Sequence, residues 1–317
     1  MTARGPGNLK SLYWLAESVY GTTPNTQQQF GLKTKSCTFK IDPGQLIDYW
    51  PDDKHYAQAA CVNTLMEAAF SVKGNALVNA SGYDWRQPLL EGALGALGGT
   101  SALGELPSYS MIVEDSKGSN YGRFLFNGCK VNQLVMSVTK PGDEILFEAE
   151  IMAQYAALAG GSPPTAVTGL QSLTLGAQEA PPSSMVLQWA YPWTLTPNGV
   201  APFTIFPKSW KMTVKNNLTR GPGSKTGADG SQYHLTQQLH EGVQEIELEA
   251  VLFVEDLTHI SNMLANKKVD SLSTQIGGNT IALTNGNYIV GSDSWPELVQ
   301  DVHEHTVKWR FTGVTVT

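Results

Sequence analysis

Apolar and polar residues alternate most regularly between Tyr121 and Met152. This stretch reads as a strand, a break at Asn127-Gly128, a second strand, a turn at Lys140-Pro141-Gly142-Asp143, and a return strand. On regular strand geometry Val131, Gln133, Val135, Ser137 and Thr139 share one face, and Asn132, Leu134, Met136 and Val138 the other. Along the return strand Ile145, Phe147, Ala149 and Ile151 fall together, opposite Glu144, Glu148 and Glu150. A period of two predicts a half-buried antiparallel pair. One face should pack a core and the other meet water or something in water. Proline at the second turn position followed by glycine suits a type I or II turn.

The same period predicts strands over 32–48, 62–73 and 108–115, although Ala57 to Phe70 also admits a helix because Ala, Met and Glu favour one. Residues 84–97 predict a helix: Asp84 is placed to cap it, and Trp85, Leu89, Leu90, Ala93, Leu94 and Leu97 recur at helical spacing. Pro88 falls in its first turn and Gly98-Gly99 ends it. Residues 1–29 read as an arm, in which Leu12, Leu15, Ala16 and Val19 could form a short helical turn between Gly/Pro brackets.

Residues 156–184 are rich in Ala, Gly, Pro and Ser, with Glu179 their one charge, and mark a boundary. The order of elements then recurs. Residues 203–218 alternate, a polar loop runs from Thr219 to Glu241, and 243–254 predict a strand. That strand carries Glu245, Glu247 and Glu249 opposite Ile246, Leu248, Ala250 and Leu252. A short helix capped by Asp256 and strands over 271–276, 280–290 and 305–317 follow. The pattern predicts a mainly β chain with an arm (1–29), a first domain (30–155), a linker or insertion (156–184) and a second domain (185–317), each domain flanked by one short helix.

Composition changes this picture in two respects. Charged residues make up only 15% of the 317, against 41% hydrophobic, so self-assembly or a Gly/Ser/Thr-rich β composition must account for the missing charge. The formal net charge of −7 disfavours tight nucleic-acid binding without excluding an acidic surface past which DNA slides. Cys37, Cys61 and Cys129 are odd in number and form no C-x-x-C, which predicts free buried thiols rather than disulfides or zinc. No signal peptide is expected, and no run approaches the roughly 18 apolar residues of a membrane helix.

Candidate chemistry is sparse. Arg220-Gly221-Pro222-Gly223-Ser224-Lys225-Thr226 lacks the glycine a phosphate loop needs directly before its lysine, so a mobile loop is expected there, with Asp229 further along it. His303 and His305 share a strand face but lack a third ligand for a metal. The Glu245/Glu247/Glu249 row has no partnering nucleophile or histidine and reads as a solvated face. Trp189, Tyr191 and Trp193 could stack sugars or pack a seam. Neither enzymatic activity nor a cofactor is expected.

Several segments resemble the tail tube (major tail) proteins of long-tailed bacteriophages in their two-domain form. Glu17-Ser18-Val19-Tyr20-Gly21-Thr22-Thr23-Pro24 resembles their E-S-x-[YF]-G-T-x-P opening, and Tyr83 to Leu97 the helix after the second strand. Phe126 to Leu134 resembles a G-C-x-V-N-x-L segment, and Leu239 to Leu248 a G-x-x-E-[VI]-x-[GL]-x-[LV] strand. The resemblance implies tandem β-sandwich or barrel domains and a structural virion protein. Its subunits would join into a ring, three chains making a pseudo-hexamer or six a hexamer, and the rings would stack. Implied partners are genomic DNA and a tape-measure protein in the channel, and tail terminator and tail-tip proteins at its ends. The chain would be made in the host bacterial cytoplasm and end in the virion tail, with no membrane partner.

On that reading Glu245, Glu247 and Glu249 are expected to face the lumen, then Glu148 and Glu150, with Lys211 and Lys215 partly offsetting them. The loop bearing Arg220, Gly221, Gly223, Lys225 and Asp229 is expected to join rings. The rival expectations are a two-domain module that binds glycans or a cell surface, and a tail-tip or baseplate component with the tube fold.

Overall fold

The computed structural model describes residues 10–21, 30–33, 36–42, 45–51, 57–63, 67–75, 77–78, 86–95, 106–117, 120–140, 142–158, 184–185, 192–222, 237–253, 265, 268–276, 279–289 and 304–316. The first half contributes β1 (Lys10–Ala16), β2 (Phe30–Lys33), β3 (Ser36–Asp42), β4 (Gln45–Pro51), β5 (Ala57–Asn63), β6 (Glu67–Asn75), β7 (Leu77–Val78), β8 (Tyr109–Lys117), β9 (Asn120–Val138), β10 (Leu146–Ala153) and β11 (Tyr155–Leu158). After β12 (Ser184–Met185) come β13 (Trp193–Pro197), β14 (Phe203–Ile205), β15 (Pro207–Lys215), β16 (Thr219–Pro222), β17 (Gln237–His240), β18 (Glu245–Phe253), β19 (Val269–Ile276), β20 (Asn279–Tyr288) and β21 (Glu304–Val316). A π-helical stretch, Arg86–Glu91, leads into a short helix α1 (Gly92–Leu94). The molecule is mainly β, built on one curled antiparallel sheet.

That sheet follows the path β14-β13-β19-β20-β21-β18-β15-β9-β10-β6-β3. The sequence halves are neighbours in it, because β15 pairs with β9 from Trp210↔Val138 to Lys215↔Gln133. Strand β9 is the hub. Its first half lies between β8 and β11, its second between β10 and β15. At 19 residues it would run roughly 60 Å if straight. Two irregularities bend it instead. Tyr109 and Met111 of β8 oppose Cys129 and Phe126, leaving one extra residue on β9 beside Gly128, whose φ is +60°. Glu150 and Ile151 of β10 oppose Gln133 and Val131, leaving Asn132 as a second extra residue. Bulges of this kind turn a strand and increase its twist, which lets β9 pass from one set of neighbours to another.

One hydrophobic core runs through both halves, from Leu12, Phe126, Met136 and Phe147 to Trp193, Trp210 and Trp309. Trp193 and Trp210 meet edge-to-face at 5.4 Å. Phe147 lies across β6 where a side chain on Gly74 would collide with its ring.

Several local expectations need correction. The alternation from Val131 to Thr139 is not regular: Asn132 bulges, so Val131 joins Leu134, Met136 and Val138 in the core. Residues 10–16 form no helical turn. β1 pairs with β8 and β2, and Leu12, Tyr13, Trp14 and Leu15 are all buried, so its apolar run reflects burial on both faces. The helical alternative over Ala57 to Phe70 gives way to β5 and β6, where pairing with β4 and β10 overrides local propensity. The helix expected over 84–97 is described only from Arg86 to Leu94, and Gly95 ends it with φ of +92°. Asp84, Trp85, Leu97 and the helix expected after Asp256 lie outside the described residues. Part of the expected loop from Thr219 to Glu241 is a two-stranded ribbon, β16 paired with β17. The turn after β9 has Gly142 at φ +84° and Asp143 N–H donating to Lys140 O at 3.2 Å, which selects type II.

Candidate functional site

Two places gather the polar residues singled out by the sequence: the solvent face of the central sheet and a polar node at the bend of β9. On the sheet face, Glu247, Thr213, Val135 and Glu148 lie in one cross-strand row over β18, β15, β9 and β10. The neighbouring row holds Glu245, Lys215, Gln133 and Glu150, so all five glutamates share this face. Lys211 and Lys215 lie there too, opposite Glu249 and Glu245.

Further cations, overlooked in the sequence, complete the face. Lys308 and Arg310 of β21 stand opposite Glu249 and Glu247, and Lys73 of β6 opposite Glu148. Their signal was the V-K-W-R-F alternation of 307–311, which places both cations away from the buried Val307, Trp309 and Phe311. The face is therefore striped along the strands from β10 onward: anionic β10, neutral β9, cationic β15, anionic β18, cationic β21, while β6 carries both Lys73 and Glu67. Opposite charges on adjacent strands attract and like charges repel, so the stripes favour this strand order. Arg310 donates to Glu247 Oε1 from Nη2 at 2.5 Å and from Nε at 3.2 Å, and Lys308 Nζ lies 3.3 Å from Oε2. The Arg310 hydrogen bonds, with Lys308 behind them, hold the Glu247 carboxyl below its ordinary range. Lys73 pairs with Glu148 at 2.7 Å, both about half exposed, a contact worth little to stability.

The face is concave. A groove of about 940 Å³ runs over β3, β6, β10, β9, β15 and β18, with Gln133, Val135 and Ser137 among its lining between Glu148 and Glu150 on one side and Lys211 on the other. Beside it, a polar cleft of about 220 Å³ lies among Lys211, Thr213, Lys215, Gln133, Glu247, Glu249 and Lys308.

The node is built on Gly128, the left-handed residue at the bend. Its N–H donates to Glu17 Oε1 at 3.0 Å; the same oxygen accepts Ser110 Oγ at 2.6 Å, while Oε2 accepts the Gly21 amide at 2.7 Å. Glu17 thus closes its own turn and fastens it to β8 and β9. Next along β9, Lys130 is buried. Its ammonium donates to Glu241 Oε1 at 2.7 Å and lies 4.9 Å from the centre of the Tyr20 ring. Glu241 Oε1 also accepts the Leu106 amide, and the Tyr20 hydroxyl accepts the Leu239 amide.

At the second bulge, buried Asn216 donates to Ala93 O at 3.0 Å and Val131 O at 2.8 Å, and accepts from Gln244 Nε2 at 3.0 Å. Its backbone N–H reaches Asn132 O, and Asn132 Oδ1 accepts the Leu218 amide. The Gly128 amide at the first bulge and the Asn132 carbonyl and side chain at the second are thus met by residues distant in sequence.

Arg220 is turned inward: Nη2 donates to Ala68 O at 2.7 Å and Nη1 to Ala153 O at 3.4 Å, at the ends of β6 and β10. Burial lowers its pKa, partly opposed by Glu67 and Tyr20. Gly221 packs under His240, leaving no room for a side chain. Gly223, Lys225 and Asp229 lie outside the described residues, as do Trp189, Tyr191 and His303. Trp193 is only 2% exposed, which counts against its use as a sugar platform. His305 is fully buried on β21 opposite Leu252. Cys129 is buried, and desolvation, with Glu17 nearby, pushes its thiol pKa up. Among the described residues no group of three His, Cys, Asp or Glu side chains could hold a metal ion, and no helix is long and apolar enough to cross a membrane.

Comparison with models of known protein families finds no match, and comparison with curated protein sequences finds none either.

Proposed function

We propose that this chain is a structural subunit of a bacteriophage tail tube, assembling into stacked rings whose channel passes DNA. The observation that carries the reading is the polar node. The segments that resemble the tube family, 17–24, 83–97, 126–134 and 239–248, are far apart in sequence, yet their described parts meet there. Glu17 and Tyr20 reach Gly128, Lys130 and Leu239. Asn216 links Ala93 to Val131, and Gln244 joins both Asn216 and Ala93. Short resemblances arising by chance have no reason to converge.

Two further features support assembly. Among the described residues β3 and β14 end the strand path with one neighbour each, and an open edge can recruit a strand from another copy. The concave face offers a wall. Its glutamate rows set anionic charge along the wall, and Lys73, Lys308 and Arg310 are held by carboxylates, which leaves Lys211 and Lys215 uncommitted among the described residues. In this reading the two halves stand as tandem tube-like domains, three chains form a pseudo-sixfold ring, and tape-measure, terminator and tip proteins are the partners.

The test is negative-stain microscopy of the purified chain over a concentration series. Stacked rings or hollow filaments are expected, with top views counting three or six chains. Discrete particles at every concentration, even with tail-tip complexes added as initiators, would overturn the reading.

A further inference from the structure

We propose that the 220 Å³ cleft between β9, β15 and β18 is a binding site for a phosphate-type oxyanion. Lys211 and Lys215 bracket Thr213 on β15, each roughly 7 Å away along the strand. Long flexible side chains at that spacing converge over the residue between them. Gln133, opposite Lys215 on β9, brings an amide from one side. Two lysines, a hydroxyl and an amide match the several acceptor oxygens of a tetrahedral anion.

The carboxylates of the cleft do not cancel this charge. Glu247 is turned toward β21, where Arg310 and Lys308 occupy its oxygens. Glu249 lies opposite Lys211 and makes no ion pair with it among the described residues. Glu245, opposite Lys215, lies outside the cleft lining. Lys211 and Lys215 make no ion pair among the described residues. The volume is below the roughly 300–1,000 Å³ of pockets that enclose whole small molecules, so the cleft suits an ion or a single phosphoryl group. Because the site lies within one chain, it stands or falls independently of tube assembly.

The experiment is titration of the full chain with inorganic phosphate at constant ionic strength, followed by the backbone amide resonances of residues 133, 213 and 247. A saturable shift at these positions is expected. Lys211→Gln and Lys215→Gln should each weaken binding about tenfold, the usual scale of a charge-assisted hydrogen bond. Glu249→Gln should tighten it by removing the opposing carboxylate. Lys40→Gln, on the same sheet face but outside the cleft, should leave it unchanged. Absence of saturation, equal weakening by Lys40→Gln, or no tightening by Glu249→Gln would overturn the proposal. Competition with a short DNA duplex identifies the source: displacement assigns the site to a phosphodiester, and saturation by phosphate without displacement to the free ion.

Discussion

Lys130 and Glu241 form an ion pair at 2.7 Å between residues 111 apart in sequence, with the lysine side chain 2% exposed and the glutamate 24%. That asymmetry predicts unequal effects of breaking it. Glu241→Ala leaves a buried ammonium without its carboxylate and should cost about 3 kcal/mol. Lys130→Met removes the buried charge itself, and the remaining carboxylate can turn to water, so it should cost distinctly less. The double variant should be more stable than the sum of the two losses predicts. Urea denaturation of the four proteins checks this; a larger loss for Lys130→Met would mean that packing, not charge, holds the node.

Gly128 and Gly142 both have positive φ, +60° and +84°. At Gly142 nothing lies within 4 Å of an added Cβ, whereas at Gly128 it would meet Gln154 Cβ at 2.7 Å. Gly142→Ala should therefore cost only the left-handed backbone term, about 1 kcal/mol. Gly128→Ala adds overpacking and strains the Glu17 contact, for a total of about 3 kcal/mol. Equal losses in chemical denaturation would show that the bend of β9 relaxes freely.

These two sites also mark where the sequence stops being readable. Strands stand out where one face is buried, because alternation then records the environment residue by residue: Ile145 to Ile151 and Ile246 to Leu252 place their apolar members inward as the period requires. A bulge leaves no such trace. Asn132 looks like one more member of the alternation, and only its pairing partners and the Leu218 amide on its side chain reveal it as the extra residue. Double-sided burial likewise erased the period in β1. The node was unreadable for another reason: Glu17, Lys130, Asn216 and Glu241 are ordinary polar residues in their local context, and their meaning comes from long-range contact. Lys308 and Arg310 were legible from the start, since the same alternation that buries Trp309 exposes both.

The Glu247 carboxyl has a folded-state pKa below its ordinary value because Arg310, then Lys308, favours its charged form. The sign follows from linkage: its contribution is fully present above the unfolded carboxylate value, about 4.3, and is lost as pH falls through the lower folded value. Glu247→Gln should lower stability at neutral pH and flatten the loss on acidification. Denaturation midpoints between pH 7 and pH 3 test this. An unchanged pH slope would mean that Glu247 is not held by its cations in solution.

Arg220 anchors the base of the β16–β17 ribbon on the carbonyls of Ala68 and Ala153, so the ribbon and the residues between its strands can be perturbed separately. Deleting 223–230, which spares β16, should leave a folded, soluble protein that no longer forms tubes. Arg220→Ala should instead lower stability, by about 2 kcal/mol for two carbonyls left without their donor. Microscopy and thermal denaturation separate the outcomes; tubes growing at the normal rate from the deletion variant would remove ring joining from this segment.

The lumen assignment rests on the glutamates of β18, and the structure decides which of them to change. Glu247 holds Arg310 and Lys308, so a substitution there would disturb the sheet as well as the wall. Glu245 and Glu249 are better targets because their cross-strand neighbours Lys215 and Lys211 make no ion pair with them among the described residues. Glu245→Gln with Glu249→Gln leaves the cations of β15 and β21 in excess without setting like charges opposite one another. If this face lines the channel, each stacked ring then offers phosphate contacts that these carboxylates no longer oppose, and their counterion release makes DNA adhere in a salt-dependent way. Rings and tubes should form normally while DNA ejection slows, with recovery as salt is raised. If ejection from intact tubes is as fast as in the unaltered phage, the striped face does not meet DNA and the channel wall must be sought on another part of the sheet.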